Sequence, residues 1–407
     1  MLVADRFHLT YCSNIHPGES WEEVRANLER HIPGIRAEAS GEAPFGIGLR
    51  LSAQAAETLS DPEVLQEFQA FLAAQNAYVF TLNGFSYGVF HHARVKEEVY
   101  LPDWKDEERL RYTNQLASIL AALLPDTPGL EGSISTVPGA FKSQVSSEED
   151  QRRMARLMLR HVAELVRIRA ETGKVLTLAL EPEPCCHLGN VDESVRFFRD
   201  FLHDPELVDE LAEAADLSFN EADEAVETHL GLCYDACHMA MGFEDTARAL
   251  EEIRDARIKI CKFQISSALK LHFQRGDGTP EEILRPFAES TDLHQVVEFC
   301  EGAIERFQDL SEPLEREISL EMASRVGEPV EWRVHFHVPI FLEEMHPFQT
   351  TQEELRELLD TLREDSPCPY LEVETHTWNV LPEEYKTGDM GSDIVRELAW
   401  IREQLEG

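Results

Sequence analysis

Short apolar segments rich in β-branched and aromatic residues recur along the chain, and each is followed by a polar loop and then by a helical pattern. This alternation is typical of β/α units, in which helices cover a sheet of parallel strands. Strands are predicted at residues 7–12, 46–51, 78–82, 133–137, 175–180, 231–235, 258–265 and 371–375. Helices are predicted at residues 21–31, 62–75, 107–124, 148–172, 192–202, 244–256, 352–364 and 392–405. The pattern therefore predicts an α/β protein with the eight strands of a (β/α)8 TIM barrel.

One long segment interrupts the alternation before the last β/α unit. Residues 271–330 contain the flexible sequence Arg275-Gly276-Asp277-Gly278 and an amphipathic helix predicted at 292–308, and a further strand is predicted at 332–340. We interpret 271–330 as an insertion that could cover the barrel mouth as a lid, within a single domain of residues 1–407. An open doubly wound sheet is the alternative, but no glycine-rich phosphate loop follows the first strand.

The charge of the chain limits the partners that we expect. Asp and Glu total 77 against 37 Lys and Arg, a formal net charge of −40, while 43% of the residues are hydrophobic. So negative a surface repels phosphate backbones and anionic lipid, so we expect no nucleic-acid partner and no binding to a membrane surface. The excess of acidic residues and the scarcity of Lys indicate a halophilic origin, because salt screens the self-repulsion.

The sequence also predicts where the protein works. No apolar run is long enough for a membrane span, and the first residues have no signal-peptide pattern. The eight cysteines show no C-x-x-C spacing, so they are expected to be reduced. We therefore expect a cytoplasmic protein.

Polar residues at the ends of the predicted strands are the candidates for chemistry, because the active site of a (β/α)8 barrel lies at the carboxyl ends of its strands. Glu181 ends one strand within Glu181-Pro182-Glu183-Pro184, Asp235 ends the next, and His238 follows three residues later. Asp235 and His238 can turn toward one cation, and with glutamate their donors suit Mn, Zn, Co or Fe better than Ca. The alternatives are a loop carboxylate at Glu181 and an aspartate that only caps the next turn.

Two later strands add further candidates. Glu374 is nearest the end of the last strand, whereas Glu372 shares its face and lies deeper. Lys262 and Gln264 occupy alternate positions of an otherwise apolar strand. Gln264 offers an amide oxygen, which is a weaker ligand than an imidazole or a carboxylate, and Lys262 is a candidate for contact with a substrate.

Histidine and asparagine residues complete the candidate set. His335 and His337 lie on one face of the strand predicted at 332–340, because side chains alternate along a strand. Two histidines on one face favour a polar cavity over two satisfied core residues. Asn14 and His16 follow the first strand and Asn83 follows the third, where each can face the mouth or, for the asparagines, form a turn.

The ordered set of Glu181, Asp235-x-x-His238, Gln264 and Glu374 resembles the metal site of xylose isomerase-like barrels. Those proteins include sugar isomerases, ketose epimerases and endonuclease IV. The resemblance implies that this set binds a divalent metal, namely Mn, Zn, Co or Mg. Gln264 stands where the epimerases have a histidine ligand. His335-x-His337 resembles the Asp-x-His pair of the endonuclease IV branch, which implies that His337 supplies the missing imidazole.

A second resemblance covers nearly the whole chain and points to the EboE family of metabolite-traffic proteins. That family name describes a genetic role in moving a small metabolite or its precursor, and it does not imply a reaction. The matching motifs are TYCSNIHPGESW at 10–21, YGVFH at 87–91, VKEEVYLPDW at 95–104, LEPEP at 180–184, HFHVP at 335–339 and EVET at 372–375.

These resemblances imply an isomerase or epimerase of a sugar or related polyhydroxylated metabolite, although catalysis itself is left open. The metal would hold adjacent substrate oxygens while Glu181 and Glu374 exchange protons on either side of the carbon skeleton. Substrate contacts are expected from Asn14, His16, Asn83, His91, Lys96, Lys262 and His335. A histidine in an exposed loop, such as His91, is more often a plain surface residue.

Two other classes of function are alternatives. The first is a metallohydrolase of the endonuclease IV type, in which Asp235, His238 and His337 activate water. The second is a metabolite-binding protein that has lost metal or proton-transfer chemistry, for which Gln264 is the main indication. In every case we expect a small polar metabolite as partner, and association into a homo-oligomer is left open.

Overall fold

The structure, a computed structural model, describes residues 1–88, 96–273, 284, 293–316, 330–375, 386 and 388–407. Its centre is a barrel of eight parallel strands. They are β2 (Phe7–Tyr11), β3 (Phe45–Arg50), β4 (Ala77–Asn83), β5 (Gly132–Thr136), β6 (Leu176–Leu180), β7 (Leu230–Asp235), β8 (Lys259–Ile265) and β15 (Tyr370–Val373). Around the barrel their order is β2-β15-β8-β7-β6-β5-β4-β3, and the short strand β1 (Leu2–Val3) pairs with β2 from outside. The predicted fold class and all eight expected strands are confirmed.

The barrel closes between its first two strands through a side chain as well as the backbone. Cys12, just after β2, forms an isolated bridge with Gly48 of β3. The Thr10 hydroxyl donates to the carbonyl of Gly46 at 2.8 Å and accepts from the Gly48 amide at 3.0 Å. A Cβ at position 48 would lie 1.8 Å from Oε1 of Glu372, so only glycine fits while Glu372 keeps its place.

The helices that cover the barrel begin at well-formed caps. Ser20, Ser147 and Ser218 each form a capping box with the acidic residue three positions later. The helices are α1 (Trp21–Ala39), α2 (Ala53–Leu59), α3 (Pro62–Ala74), α4 (Glu107–Leu123), α5 (Glu148–Thr172), α6 (Val191–Phe197), α7 (Pro205–Ala215), α8 (Phe219–His229), α9 (Ala236–Met241), α10 (Thr246–Asp255), α11 (Ser311–Arg316), α12 (Gln352–Glu364) and α13 (Met390–Glu406). The sequence pattern missed α2, α7, α8, α9 and α11, and the helix expected at 192–202 is α6 followed by a π-helical turn, Phe198–Leu202.

The segment before the last β/α unit contributes an antiparallel sheet, which we call the insertion sheet. Its strands are β9 (Leu269–Phe273), β10 (Val296–Cys300), β11 (Ala303–Phe307), β12 (Val330–Val334), β13 (Glu344–Met345) and β14 (Phe348–Thr350). They pair in the order β11-β10-β12-β9-β14-β13. The Arg275–Gly278 loop lies outside the described residues.

Two predictions for this segment are wrong. The helix expected at 292–308 is the β10–β11 hairpin, turned by Glu301 and Gly302 at φ values of 51° and 80°. Positive φ at both central residues is the geometry of a tight hairpin turn, and β-branched Val296 and Val297 favour a strand. The strand expected at 332–340 ends at Val334, so His335 and His337 lie in the irregular segment that follows it.

The insertion sheet contacts the barrel at the end where strands β6 to β8 finish. The amide of Val338 donates to the carbonyl of Ser267 at 2.9 Å, just after β8. The Cys185 thiol, in the loop after β6, donates to the carbonyl of Phe307 at 3.5 Å. This is also the end at which the predicted site residues lie. Among the described residues, no helix combines the length and the apolar character needed to cross a membrane.

Candidate metal centre

Three buried carboxylates meet at the carboxyl end of the barrel, and we call them the carboxylate cluster. Glu181 directly follows β6, Asp235 ends β7, and Glu374 directly follows β15. An oxygen from each lies within 4.8 Å of an oxygen from both others, and all three residues are at most 5% exposed. The structure therefore brings together the three carboxylates that the strand ends predicted.

Glu374 is held in place from two other strand ends. Its Oε1 accepts a hydrogen bond from the amide nitrogen of Asn14 at 2.7 Å and from that of Asn83 at 3.1 Å. Both asparagines are buried. Asn14 and Asn83 thus converge on Glu374 from two other strand ends and fix one of its carboxylate oxygens.

Several buried polar atoms of the site have no hydrogen bond within the described part of the chain. They are Oε2 of Glu181, Oδ2 of Asp235 and both amide atoms of Gln264. The other oxygen of Asp235 accepts from the His238 amide at 3.0 Å and from the Ser266 hydroxyl at 2.8 Å. Burying unpaired carboxylate oxygens is costly, and a divalent cation between them removes that cost. The residues present therefore fit a metal.

The electrostatics of the cluster point the same way. Burial raises the pKa of Glu181 well above its usual range, and the charges of Glu374 and Asp235 raise it further. Burial, with the charges of Asp235 and Glu372, raises the pKa of Glu374 to about 8. Without a cation the cluster retains protons near neutral pH, because like charges this close cannot all ionise. A metal would replace those protons.

Three histidine rings converge beside the carboxylates, and we call them the imidazole cluster. Nε2 of His335 lies 3.2 Å from Nε2 of His238 and 3.0 Å from Nε2 of His337. Nε2 of His238 also lies 3.9 Å from Oδ2 of Asp235, so the two clusters adjoin. Burial lowers the pKa of His337 to about 4, which keeps this ring neutral. The histidines predicted to share a strand face do point to one place, although they lie beyond the strand.

Each ring is oriented by an oxygen that faces its Nδ1 atom. Nδ1 of His238 lies 3.0 Å from the carbonyl oxygen of Pro182, and Nδ1 of His337 lies 2.8 Å from that of Glu374. Nδ1 of His335 lies 2.6 Å from Oε1 of Gln295. Such partners fix the orientation of an imidazole and leave Nε2 to bind a metal.

Sequence reasoning missed a group that joins the insertion sheet to the barrel. Oε1 of Glu183 accepts from the Tyr100 hydroxyl and from the Gln295 amide, both at 2.7 Å. Burial raises the pKa of Glu183. Glu183 lies in the same Glu-Pro-Glu-Pro sequence as Glu181, so its position just past β6 was the signal that could have revealed it. Gln295 is separated from it by 112 residues and gave no such signal.

A buried thiol also lies near the imidazole cluster. The sulfur of Cys237 lies within 4.8 Å of ligand nitrogens of His335 and His337. Cys237 packs against Met241 and Ala268. Burial raises the pKa of its thiol well above the usual range, as expected for a reduced core cysteine.

Lys262 lies below the carboxylate cluster inside the barrel. Its ammonium group donates to Oε2 of Glu372 and, at 3.2 Å, to the hydroxyl of Thr81. Both Lys262 and Glu372 are fully buried. Burial alone would lower the pKa of Lys262, but the Glu372 charge and other anionic groups raise it above its usual value. Lys262 therefore remains a cation beneath the site.

The contacts of the described residues do not connect the remaining predicted substrate-binding residues to the carboxylate cluster or the imidazole cluster. His16 accepts from or donates to the Tyr11 hydroxyl at 3.0 Å and stacks on the His31 ring at 4.3 Å. His91 lies outside the described residues. Lys96 begins a 3-10 turn, Lys96–Tyr100, and its side chain is not among the described ones.

Comparison with known proteins finds similar solved structures of xylose isomerase-like TIM barrels. A xylose isomerase-like TIM barrel protein from Mycobacterium smegmatis in complex with magnesium is 12% identical, with 100% of this chain and 98% of that chain covered and a TM-score of 0.48. D-psicose 3-epimerase from Clostridium cellulolyticum is 11% identical, with coverage of 98% and 99% and a TM-score of 0.44. The 3-keto-D-glucoside 4-epimerase YcjR from E. coli is 14% identical, with coverage of 98% and 100% and a TM-score of 0.43.

No family model and no curated protein matches the sequence. The TM-scores of these three structures are at most 0.48, so what they bind does not decide the chemistry of this chain.

Proposed function

We propose that the protein is a divalent-metal-dependent isomerase or epimerase of a sugar or a related polyhydroxylated carbonyl compound. The observation that carries the proposal is the carboxylate cluster. Glu181 and Glu374 approach it from β6 and β15, which β7 and β8 separate in the barrel. Two carboxylates from different sides of one cation site are what a reaction needs when a proton leaves carbon and returns to it.

The chain supplies the ligands for the metal in this proposal. Glu181, Asp235 and Glu374 would hold it, and the expectation that His238, Gln264 and His337 also contribute belongs to the same proposal. A divalent metal held there would supply Lewis-acid polarisation of a substrate carbonyl. Lys262 offsets negative charge beneath the carboxylates through its ion pair with Glu372. Its predicted contact with the substrate is part of the proposal.

The proton steps fall to the two glutamates. One carboxylate takes the proton from the carbon next to the carbonyl, and the other delivers a proton to the acceptor carbon or face. Asn14 and Asn83 hold Oε1 of Glu374, so its Oε2 is the oxygen presented to substrate.

Solvent-deuterium exchange tests this function across a broad range of substrates. Metal-loaded protein is incubated in deuterated water with a panel of ketoses, aldoses and cyclic polyol ketones, and deuterium beside the carbonyl is detected by NMR. We expect exchange that falls by roughly 10²–10⁴ in Glu181→Gln and in Glu374→Gln. Glu164→Gln, whose side chain pairs with the exposed Arg167 on α5, is the control that retains the rate. Exchange that survives both site variants, or no exchange across the panel, would overturn the proposal.

The imidazole cluster favours a second candidate function, a metallohydrolase. Nitrogen ligands beside the carboxylate cluster could hold another cation close to the first, which is the arrangement that cleaves phosphoesters. Hydrolysis of generic phosphomonoester and phosphodiester substrates separates the two candidates. Turnover of these esters without carbon-bound deuterium exchange would select the hydrolase.

The finer assignment, to EboE-like metabolite-traffic proteins, forms part of the proposal and is supported by the sequence motifs. It predicts that the protein retains a small polar metabolite. Mass spectrometry of molecules released from protein purified under native conditions tests it, with Glu181→Gln and Glu374→Gln as comparison. A polyhydroxylated compound released from the parent alone is the expected result, and equal release from all three would refute specific retention.

A further inference from the structure

The short helix α9 carries His238 of the imidazole cluster. It has only 6 residues, Ala236–Met241, and Asp235 caps its N-terminus by accepting from the His238 amide at 3.0 Å. A helix of fewer than two turns is not stable by itself and depends on contacts at its ends. What holds the C-terminal end of α9 therefore decides how firmly His238 is placed.

The C-terminal end of α9 is held by Arg333 of the insertion sheet. Nη1 of Arg333 donates to the carbonyl oxygen of Ala240, in the last turn of the helix. The guanidinium carbon also lies 4.0 Å from the centroid of the Phe243 ring, just beyond the helix. A cation at this end is favourable because it faces the negative end of the helix dipole. The insertion sheet thus supplies a charged contact at the end of α9 opposite to Asp235.

Arg333 is itself fixed by two carboxylates. Its Nε lies 2.7 Å from Oε1 of Glu331 on the same strand, and its Nη2 lies 2.7 Å from Oε1 of Glu354 on α12. The guanidinium is a rigid planar fork, so bonds in several directions fix its position as well as its charge. Arg333 is buried and joins three elements, namely β12, α9 and α12.

A second contact joins α9 to the insertion sheet. The Phe243 ring packs against the Phe299 ring of β10, with the centroids 5.2 Å apart. Phe243 has a φ of 56°, which is unusual for a bulky residue and persists only where surrounding contacts hold it. The turn that follows α9 is therefore shaped by its contacts with Arg333 and Phe299.

Lys270 of β9 shares the carboxylates of Arg333 without holding α9. Its ammonium nitrogen lies 3.1 Å from Oε1 of Glu354 and 4.0 Å from Oε1 of Glu331. Among the described residues, no hydrogen bond or ion pair joins the Lys270 side chain to α9. The two cations therefore differ in their contact with α9 and resemble each other in their anionic partners.

We propose that Arg333 is a positioning residue that couples the place of His238 to the docking of the insertion sheet. Strand β12, which carries Arg333, leads directly into His335. Docking of the insertion thus brings His335 to the barrel and at the same time fixes the helix that carries His238. Undocking would release both rings together. This coupling does not depend on which reaction the site performs, so it can fail while proton transfer is found, or hold when none is found.

Labelling of histidines with diethyl pyrocarbonate, read by mass spectrometry, tests the coupling. His238 is 5% exposed and reports the place of α9, while His161, fully buried in the scaffold, reports global unfolding. In Arg333→Met the labelling of His238 should accelerate roughly tenfold to a hundredfold, because a hydrogen bond from a charged donor is lost, and His161 should be unchanged. Lys270→Met removes an equal charge from the same carboxylates and should leave His238 at the parental rate.

Phe243→Leu provides a milder variant that keeps the test available where Arg333→Met does not fold. It removes the ring contacts and retains the bond to Ala240, so His238 labelling should accelerate by at least about twofold. Hydrogen exchange of the amides of residues 236–243 should accelerate in both variants and remain parental in Lys270→Met. Parental labelling of His238 in Arg333→Met and Phe243→Leu would overturn the proposal. Equal acceleration in Lys270→Met, or matching acceleration at His161, would also overturn it.

Discussion

The barrel and the insertion sheet contribute to the same site by different means. The barrel supplies Glu181, Asp235 and Glu374 from the ends of strands whose register the neighbouring parallel strands fix. The insertion sheet supplies Gln295 and leads into His335, through antiparallel pairs such as Val330 with Phe273. The site residues of the barrel thus come from β/α units that are local in the sequence. The site residues of the insertion depend on contacts between segments that are distant in the sequence. Substitutions in the two regions should therefore differ in how much stability they cost and in how much of the molecule they affect.

The largest effect is expected from the ion pair inside the barrel. Lys262→Met leaves Glu372 as a buried carboxylate without its cation, which should lower the free energy of unfolding by about 3–5 kcal/mol. Denaturant unfolding followed by circular dichroism measures the change. Lys142→Met, which breaks an ion pair that is half exposed, is the control, with an expected loss below about 1 kcal/mol. Equal losses in the two variants would show that the barrel interior does not depend on this pair.

A buried histidine in the barrel scaffold should make stability depend on pH. Burial, helped by the charge of His229, lowers the pKa of His161 to about 3. The unfolded chain binds this proton near pH 6.5 and the folded chain does not, so stability is full above pH 6.5 and falls as pH decreases toward 3. Relative to His161→Leu, the parent should lose about 2–3 kcal/mol between pH 7.5 and pH 4.5. Urea unfolding of both proteins at the two pH values measures this, and a constant difference would contradict it.

A smaller and more local effect is expected in the insertion. Gln295→Ala removes hydrogen bonds to Glu183, Tyr100 and His335, a loss of about 1–3 kcal/mol. Hydrogen exchange should accelerate in strands β10 and β12 and remain unchanged in β5 and β6, because local openings need not involve the barrel. Gln115→Ala, on the exposed part of α4, is the control. Faster exchange spread evenly over both regions would show that barrel and insertion unfold as one unit.

The smallest effect is expected from salt, which should raise the stability of both the barrel and the insertion. The net charge of −40 makes the folded chain repel itself, and screening at roughly 1 M KCl, where the Debye length is about 3 Å, reduces that repulsion. The melting temperature should therefore rise from low salt to molar KCl. A flat or falling melting temperature would remove the basis for a halophilic origin.

The barrel was predictable because its signals are local. Each strand combines an apolar run with a polar residue at its end, and the next helix lies within the same stretch of sequence, as for Asp235 before α9. Position alone therefore indicated Glu181, Asp235 and Glu374. The period of two placed Lys262 and Gln264 on one face of their strand, although it did not reveal that Lys262 pairs with Glu372.

The insertion was not predictable in the same way. Val296, Val297 and Cys300 satisfy a helical spacing as well as a strand, and only pairing with β12 decides between them. The pairing of Gln295 with Glu183 depends on the folded arrangement of segments far apart in the chain. His335 and His337 were predicted to converge because they were placed on one face of a strand. They do converge, but the strand ends at Val334, before both of them.

The origin of the three rings in the imidazole cluster has a consequence for assembly. His238 belongs to the barrel, while His335 and His337 arrive with the chain as it leaves the insertion sheet. A cation held by His238 together with His335 or His337 would link the two parts, because it can bind only when they are docked. Docking would then strengthen with free metal concentration by mass action, as RT ln(1 + [metal]/Kd). The supply of free metal would then set how firmly the insertion docks on the barrel.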